Sequence, residues 1–417
     1  MVSNSSRTEG GAPLLTIDAA RAAIVATARP IEGCEQTPLS EARGRLLARA
    51  LTSPRPLPVF DHSAMDGYAL HLQDGRDTYR LIGRVAAGHM PPRALNPGEA
   101  MRIFTGAPIP PGTDAVVMQE NVAPLDGDRI QLRASLRSGD NIRHAGEDVA
   151  LDEQLVPAGT ILDARHVGLA AAVGLSHLDV LRRLRIALVS TGDELVSSGG
   201  QLRPGQIFDS NRPMLAAALE RPSVSIEDFG VLPDDRTLIR AFFADAANRF
   251  DLIVTTGGAS VGDEDHIAGS LIEAGGRIHM AKVAIRPGKP FTYGEIGGAA
   301  VSILPGNPFA ALVAGLLFVR PQLERSLGLP VAPFAPLPAA AGFAGPRARE
   351  RTEFVPARII GRTATGMPII DRLGRGGSAR LKPLIGADGL AVLAPGEAPV
   401  AMGEAIGFLP FGAAFAL

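Results

Sequence analysis

The chain has 417 residues, of which 46% are apolar and 20% are charged, a composition typical of a folded protein with about two to four domains. This composition excludes a wholly disordered, collagen-like or coiled-coil chain. Its net charge of −2 gives no overall attraction for nucleic acid or for an anionic membrane. Any site for an anion must therefore be local.

The cysteine content and the hydropathy of the chain indicate in which cellular compartment the protein is expected. Cys34 is the single cysteine, so no disulfide can form within the chain, and the eight histidines lie in no metal-ligand spacing. The longest apolar run, 309–319, is well short of the roughly 18 residues that cross a bilayer. The polar segment 1–13 resembles no export signal and is predicted to be a disordered tail. We expect a cytoplasmic protein with neither membrane nor nucleic-acid partners.

The first half of the chain predicts one domain inserted into another. Apolar spacing predicts helices over 17–28 and 39–51, and the proline-rich stretch 54–60 indicates a boundary. Short apolar runs between Gly, Pro and Asp turns then predict a β domain, after which a helical pattern resumes at 164–173. We therefore predict a discontinuous helical domain, 14–55 plus 150–183, that is interrupted by a small β domain, 56–149.

The second half predicts an α/β domain followed by a small β domain. From residue 184, the strands LRIALVS, VSIEDFG, DLIVTTGG and AVSIL alternate with amphipathic segments such as 237–249. This alternation predicts a doubly wound parallel sheet over 184–329. Proline-rich sequence and then short strands predict the separate β domain, 330–417.

Polar turns follow three of the predicted parallel strands, where ligands of such sheets bind. The turns are TGDE (191–194), TTGGASVGD (255–263) and PGNP (305–308). Glycine lets backbone N–H groups approach an anion, and a helix N-terminus favours negative charge, so TTGGAS and PGNP suit phosphate. Ordinary turn chemistry is the alternative for either turn alone.

Carboxylates crowd the same edge of the predicted sheet, at 193–194, 234–235 and 263–265. Carboxylates facing phosphates would repel them, so we predict a hydrated magnesium ion between them. Solvated helix caps are the alternative, above all for Asp265.

A basic loop, KVAIRPGKP at 282–290, carries Lys282, Arg286 and Lys289 around a turn. Alone it would be surface decoration, but beside an acidic edge it is better interpreted as the other half of a binding site. No Ser–His–Asp or Cys–His pattern is present, so covalent catalysis is not indicated.

Seven motifs in order resemble the molybdopterin molybdenumtransferases, the MoeA and gephyrin E-domain family: FDHSAMDGYA, RIFTGAPIPPGTDAVVMQE, NIRHAGEDV, STGDEL, TTGGASVGDEDH, KVAIRPGKPF and LPGNP. The resemblance spans roughly 14–330 and implies a four-domain homodimer with a C-terminal β barrel at 330–417. It implies a magnesium-dependent reaction of adenylylated molybdopterin with molybdate, giving molybdenum cofactor and AMP. The molybdopterin adenylyltransferase and cofactor-accepting apoenzymes are the implied partners.

Motif matches carry the family's site residues onto this chain. The catalytic candidates are Asp66, Thr105, Asp148, Glu194, Asp234 and Asp265, of which the last three are also the magnesium candidates. The first three would face the partner subunit's α/β domain. The substrate-binding candidates are Thr256, Gly257, Gly258, Ser260, Lys282, Arg286, Lys289, Pro305, Gly306, Asn307 and Ser378.

The chain departs from the family at several positions. Ala259 replaces a commoner valine, and His266 stands where tyrosine is frequent. Pro356 stands where the family often has arginine, which leaves the fourth domain's substrate contact to Arg351 or Arg358. Two alternatives to the transferase follow: a scaffold or degenerate paralogue that binds without turnover, and a related pyrophosphate hydrolase that would release AMP without molybdate.

Overall fold

The computed structural model describes residues 14–73, 76–257, 266–374 and 377–412 and divides the chain into two compact units. One unit is Cys34–Val180, and the other combines the chain up to Gly33 with Leu181–Leu417. Among the helices of the described residues, none has the combined length and apolarity needed to span a membrane.

The first of the two helices predicted near the N-terminus is confirmed, and the second is wrong. Helix α1 (Ile17–Thr27) begins at Thr16, whose hydroxyl accepts from the N–H of Ala19 at 3.2 Å. The segment 39–51 instead has a 3-10 turn, Leu39–Glu41, and then irregular chain. Its apolar side chains are buried by bridges such as Leu47 to Val180, so tertiary pairing replaces the helix that their spacing predicts.

The unit Cys34–Val180 contains a small core that joins two distant segments of the chain. Ala42 and Leu51 pack with Val156, Ala170 and Val180, as a discontinuous domain requires. Its elements are β1 (Cys34–Pro38), β2 (Leu51–Thr52), β3 (His62–Ser63), β4 (Gly67–Leu70), β5 (Thr78–Val85), β6 (Glu99–Ile103), β7 (Ala115–Met118), β8 (Val122–Leu125), β9 (Arg129–Leu132), β10 (Ile142–Arg143), β11 (Gln154–Val156), α2 (Ala164–Ala172) and β12 (His177–Leu181). The exact domain bounds stay predictions.

The inserted β domain is a six-stranded sheet in the order β7-β4-β6-β5-β9-β8, with the pair β3 and β10 beside it in sequence. Its two faces bury separate apolar sets, one around Met101 and Val116 and the other around Tyr79 and Val117. The alternation of inward and outward side chains along β7 therefore supplies both cores.

We expect the acid stability of this sheet to depend on Glu99, a buried carboxylate in β6. It accepts hydrogen bonds from Arg93 at 2.7 and 2.9 Å, Arg80 at 2.6 Å and the N–H of Asn96 at 3.0 Å. The Arg93 guanidinium, the largest cause, holds the pKa of Glu99 well below its ordinary 4.5. Because the folded-state pKa is lowered, the stabilisation is present above the unfolded-state pKa and is lost as pH falls below it.

We therefore expect the melting temperature to fall between about pH 5 and pH 3, and to fall less steeply in Glu99→Gln, which has no carboxylate to protonate. Thermal melts over this pH range check the expectation. The control is Glu41→Gln, a change at an exposed glutamate of the same unit. Parallel acid profiles for wild type and Glu99→Gln would contradict it.

The α/β domain has one mixed sheet in the order β16-β13-β17-β21-β20-β18, in which the first four strands are parallel. Its elements are β13 (Leu184–Thr191), β14 (Leu195–Val196), β15 (Ile207–Phe208), α3 (Asn211–Leu219), β16 (Val224–Leu232), α4 (Arg236–Ala246), β17 (Leu252–Thr256), α5 (His266–Glu273), β18 (Arg277–Ala281), β19 (Ile285–Arg286), β20 (Thr292–Ile296), β21 (Ala299–Leu304), α6 (Pro308–Ala314), a π-helical turn (Gly315–Val319) and α7 (Arg320–Ser326). Helices α4 and α5 pack on one face, while α3 and α6 contact each other and the sheet. The predicted doubly wound arrangement is confirmed, but the sheet is mixed and not wholly parallel, because β20 and β18 run antiparallel to their neighbours.

The C-terminal domain is the closed five-stranded barrel that the resemblance implies. Its elements are β22 (Leu337–Ala341), β23 (Thr352–Arg362), β24 (Pro368–Arg372), α8 (Lys382–Ile385), β25 (Gly389–Leu393) and β26 (Ala405–Pro410). The ladder runs β23-β24-β22-β26-β25 and closes by pairing β25 with β23. The short strand β19 of the α/β domain adds to it, in parallel, beside Thr352 and Glu353.

Candidate active site at the carboxyl ends of the α/β sheet

Three parallel strands end side by side at a cavity of about 590 Å³. In register, Ser190 lies beside Thr256, and Thr256 lies beside Leu304, so the segments that follow these strands are neighbours. The described residues that line the cavity include Thr191, Glu194, Asn211, Gly257, Lys289, Pro305, Gly306 and Asn307. The structure thus brings together residues of all three predicted turns, while their individual roles stay predictions.

Two of these turns approach each other backbone against backbone. Gly257 has φ +100°, and a Cβ built on it would lie 2.1 Å from the carbonyl oxygen of Thr191. A Cβ on Gly306 would lie 3.5 Å from the Cα of Gly257. Gly257 is therefore required by both conformation and space.

Asn211 is a residue of the site that the sequence analysis missed. Its side-chain Nδ2 donates to Thr256 Oγ1 and to the Gly306 carbonyl, both at 2.7 Å, and Thr256 Oγ1 donates to the Pro305 carbonyl at 3.2 Å. Only 6% of Asn211 is exposed. The signal was the triplet Asp-Ser-Asn at the start of α3, which resembles an ordinary helix cap because Asp209 accepts from the N–H groups of residues 211 and 212.

Of the carboxylates that the sequence predicts at this site, only some are found at the cavity in the described part of the chain. Glu194 lines the cavity. Asp234 lies next to Asp193, since each carboxylate accepts from the other's backbone N–H, at 3.1 and 3.4 Å. Asp235 caps α4 instead. The predicted residues Gly258, Ser260 and Asp265 lie outside the described residues, as does Ala259.

The donor chemistry of this cavity suits a hard cation. The carboxylate of Glu194 lines it, as does Asn211, whose Oδ1 is buried and has no hydrogen-bond donor in the described part of the chain. Neither histidine nor cysteine is among the described lining residues. The oxygen atoms of Glu194 and Asn211 fit magnesium, which keeps several waters and takes one or two carboxylates. Within 14–73, 76–257, 266–374 and 377–412, no three His, Cys, Asp or Glu residues form a complete protein cage for a metal.

A second cavity, of about 390 Å³, adjoins the first and is basic. Its cations are Arg286, Lys289, Arg351 and Arg380, and Glu353 is the one acid among its described lining residues. The two cavities share Lys289, Pro290, Pro305 and Asn307. The predicted Ser378 lines this cavity too, and its carbonyl accepts from the N–H of Phe309 at 2.9 Å. Lys282 lines neither cavity.

Pro356 lines the basic cavity from the middle of β23, where its carbonyl accepts from the N–H of Leu373 at 2.7 Å. Arg351 lines the same cavity. Arg358, which lies on β23 with Pro356, is exposed and is absent from the described residues that line the cavity. Of the two arginines considered as replacements for the missing charge, Arg351 is therefore the one in place.

The unit Cys34–Val180 holds the other three catalytic candidates. Asp66 Oδ1 accepts from both the N–H and the hydroxyl of Thr105, each at 2.8 Å. The backbone hydrogen bond is the larger cause that lowers the pKa of Asp66, which keeps it ionised. Asp148 belongs to a different segment, tied by its N–H to the carbonyl of Leu57 at 3.0 Å.

Comparisons with known proteins agree with this architecture. Three family models match in order: the MoeA N-terminal region (domain I and II) over residues 15–174, the probable molybdopterin binding domain over 187–325, and the MoeA C-terminal region (domain IV) over 338–411. The solved molybdopterin biosynthesis MoeA protein of Pyrococcus horikosii superposes with a TM-score of 0.81 at 29% identity, covering 95% of this chain and 99% of that one.

Curated relatives carry the same family name. The chain is 35% identical over 317 residues to the molybdopterin molybdenumtransferase of Haemophilus influenzae, covering 76% of this chain and 78% of that protein. It is 37% identical over 307 residues to molybdopterin molybdenumtransferase 2 of Mycobacterium tuberculosis, covering 70% and 75%. This chain therefore belongs to the molybdopterin molybdenumtransferase family of enzymes.

Proposed function

We propose that the chain inserts molybdenum from molybdate into adenylylated molybdopterin, in a magnesium-dependent reaction that releases AMP and leaves molybdenum cofactor. One observation carries the proposal: a cavity lined by a carboxylate and glycine turns adjoins a basic cavity, and Lys289 lines both. The first suits a phosphate ester with a cation, and the second suits a separate oxyanion.

The proposed chemistry balances without a further reactant. Two Mo–S bonds form while the two thiol protons of the pterin leave with one molybdate oxygen as water. One water is consumed when the phosphoanhydride P–O bond breaks to give AMP and the pterin phosphate. Lys289 and Arg286 orient the two anions, and the N–H groups of Gly257 and of the turn after β21 hold the phosphates.

Magnesium would be held by Glu194 and Asp234, with Asp265 as the third candidate, and when bound it supplies positive charge to the pyrophosphate oxygens. We propose that the reaction takes place in the cytoplasm, which a chain with one cysteine and no disulfide suits.

The direct test follows AMP release from adenylylated molybdopterin with magnesium, with and without molybdate. We expect release that depends on molybdate and a product that activates an apo-molybdoenzyme. Release that is equally fast without molybdate would favour a hydrolase, and binding without any release would favour a scaffold.

Arg351 should set the affinity for molybdate. Because its guanidinium lines the basic cavity where Pro356 has no charge, we expect Arg351→Ala to raise the KM for molybdate by about tenfold, with kcat nearly unchanged. Steady-state kinetics at varied molybdate concentration check this. Arg358→Ala removes an exposed arginine from β23, the strand that follows Arg351, and is the matched control. Equal KM values in the two variants would contradict the assignment.

We also propose a homodimer in which Asp66, Thr105 and Asp148 of one subunit act with the α/β domain of the other. Mixing the single variants Asp66→Ala and Glu194→Ala, each inactive alone, should then restore activity. Random pairing makes half the dimers mixed, each with one intact site, so about one quarter of wild-type activity is expected. The mixture should be unfolded and refolded together before the assay. Sites built within one subunit would show no recovery.

A further inference from the structure

We propose that Asn211 is a positioning residue that fixes the spacing of the two glycine turns at the site and thereby sets the affinity for the adenylate phosphate. The inference rests on the proposed function, because it concerns the same cavity. None of the motifs that resemble the family includes Asn211.

The hydrogen-bonding chemistry fixes which way the amide of Asn211 points. The carbonyl of Gly306 can only accept, so the group 2.7 Å from it must be the NH2 of Asn211. The same nitrogen, 2.7 Å from Thr256 Oγ1, gives its second hydrogen to that oxygen. The Thr256 hydroxyl is then free to donate to the Pro305 carbonyl at 3.2 Å. One amide therefore links the start of α3, the end of β17 and the turn after β21.

The backbone ladder between β17 and β21 ends at Thr256 and Leu304, so it does not itself fix the turns that follow. Gly257 and Gly306 have no side chains, and their backbones meet directly. Asn211 and Thr256 are almost fully buried, at 6% and 0% exposure. Burying such polar groups adds little net stability compared with apolar residues of similar size. Their arrangement is better explained by the geometry that they impose on the turns.

Asn211 is itself held in place from behind. Asp209, which is buried, accepts from the N–H of Asn211 at 3.0 Å and pairs with Arg212 at 3.0 Å. Arg212 also pairs with Asp228 on the neighbouring strand β16. The backbone of Asn211 is therefore fixed relative to the sheet. The two hydrogen bonds of its side-chain amide can then define the position of both turns.

A double-mutant cycle between Asn211→Ala and Thr256→Val tests the proposal, with AMP as the probe. Isothermal titration in the presence of magnesium gives the AMP affinity of the full-length chain and each variant, and a thermal melt of the same samples gives stability. Asn248→Ala changes an exposed asparagine of the same domain and is the control. If the two residues act as one unit, each single variant should lose about tenfold in affinity and the double variant no more.

The possible results distinguish a failure of the positioning role of Asn211 from a failure of the proposed function. Additive losses in AMP affinity would mean that Asn211 and Thr256 act independently, which would overturn the positioning role. An unchanged AMP affinity in Asn211→Ala with a lower melting temperature would show a structural role only and would overturn it too. Turnover should confirm the split, since Asn211→Ala should raise KM for the adenylate more than it lowers kcat. A wild-type chain that neither binds AMP nor turns over the adenylate would overturn the proposed function itself.

Discussion

Glu194→Gln should lower kcat/KM for AMP release by about 10²–10³-fold while leaving the fold intact. The carboxylate lines the cavity at the end of β13, where no described cation pairs with it, so its charge is available to a metal and its loss removes little structural support. The amide has the same size but no charge, and it is a weaker magnesium ligand. Steady-state assays at varied magnesium concentration measure the effect.

The dependence of activity on magnesium concentration tests whether Glu194 is a ligand of the metal. We expect the apparent magnesium affinity of Glu194→Gln to fall together with kcat/KM, so that extra magnesium recovers part of the activity. Glu220→Gln, at the exposed end of α3, should behave like wild type. An unchanged magnesium curve in Glu194→Gln would mean that Glu194 acts without the metal.

Gly257→Ala should abolish AMP binding and destabilise the α/β domain by several kcal/mol. The added Cβ would lie 2.1 Å from the Thr191 carbonyl, and φ +100° is a conformation that L side chains rarely adopt. Overpacking costs about 1–3 kcal/mol, and a strained backbone costs about as much again. Neither atom can move far, because both belong to the ends of central strands. Chemical denaturation and AMP titration measure the two losses.

Substitutions at two other glycines of the same domain show how much of the destabilisation comes from backbone strain and how much from steric overlap. Gly199 has φ +89° but no atom within 4 Å of a built Cβ, so Gly199→Ala carries only the backbone penalty, about 1 kcal/mol. Gly298 has neither a positive φ nor a close neighbour, so Gly298→Ala should be nearly neutral. A Gly257→Ala variant no worse than Gly199→Ala would refute the close approach of the turns.

The sequence predicts the α/β domain well because its strands and helices each carry a strong periodic pattern. The segment 237–249 alternates apolar and polar residues at helical spacing, and α4 (Arg236–Ala246) forms there. Turns after buried strands also predict which residues meet, because parallel strands bring their carboxyl ends to one edge. That rule predicts that Thr191, Gly257 and Asn307 lie close together, and in the structure all three line one cavity.

Two features escaped this reasoning for physical reasons. The apolar spacing at 39–51 is helical, but those side chains are buried by long-range bridges, and local pattern carries no information about distant partners. Asn211 escaped because an asparagine at the start of a helix is common as a cap, and only the three-dimensional contacts show its amide reaching two other turns. Motif resemblance likewise left open which arginine accompanies Pro356.

The pairing of β19 with β23 means that the boundary between two domains in the sequence is not a boundary between two parts that can move independently. The chain changes character near residue 330, yet a backbone ladder joins Ile285 and Arg286 to Thr352 and Glu353 across that point. A displacement of the barrel would therefore pull on the basic loop and on the shared Lys289. The barrel belongs to the wall of the cavity as much as the sheet does, and fragments cut at residue 330 would lose the support of that wall.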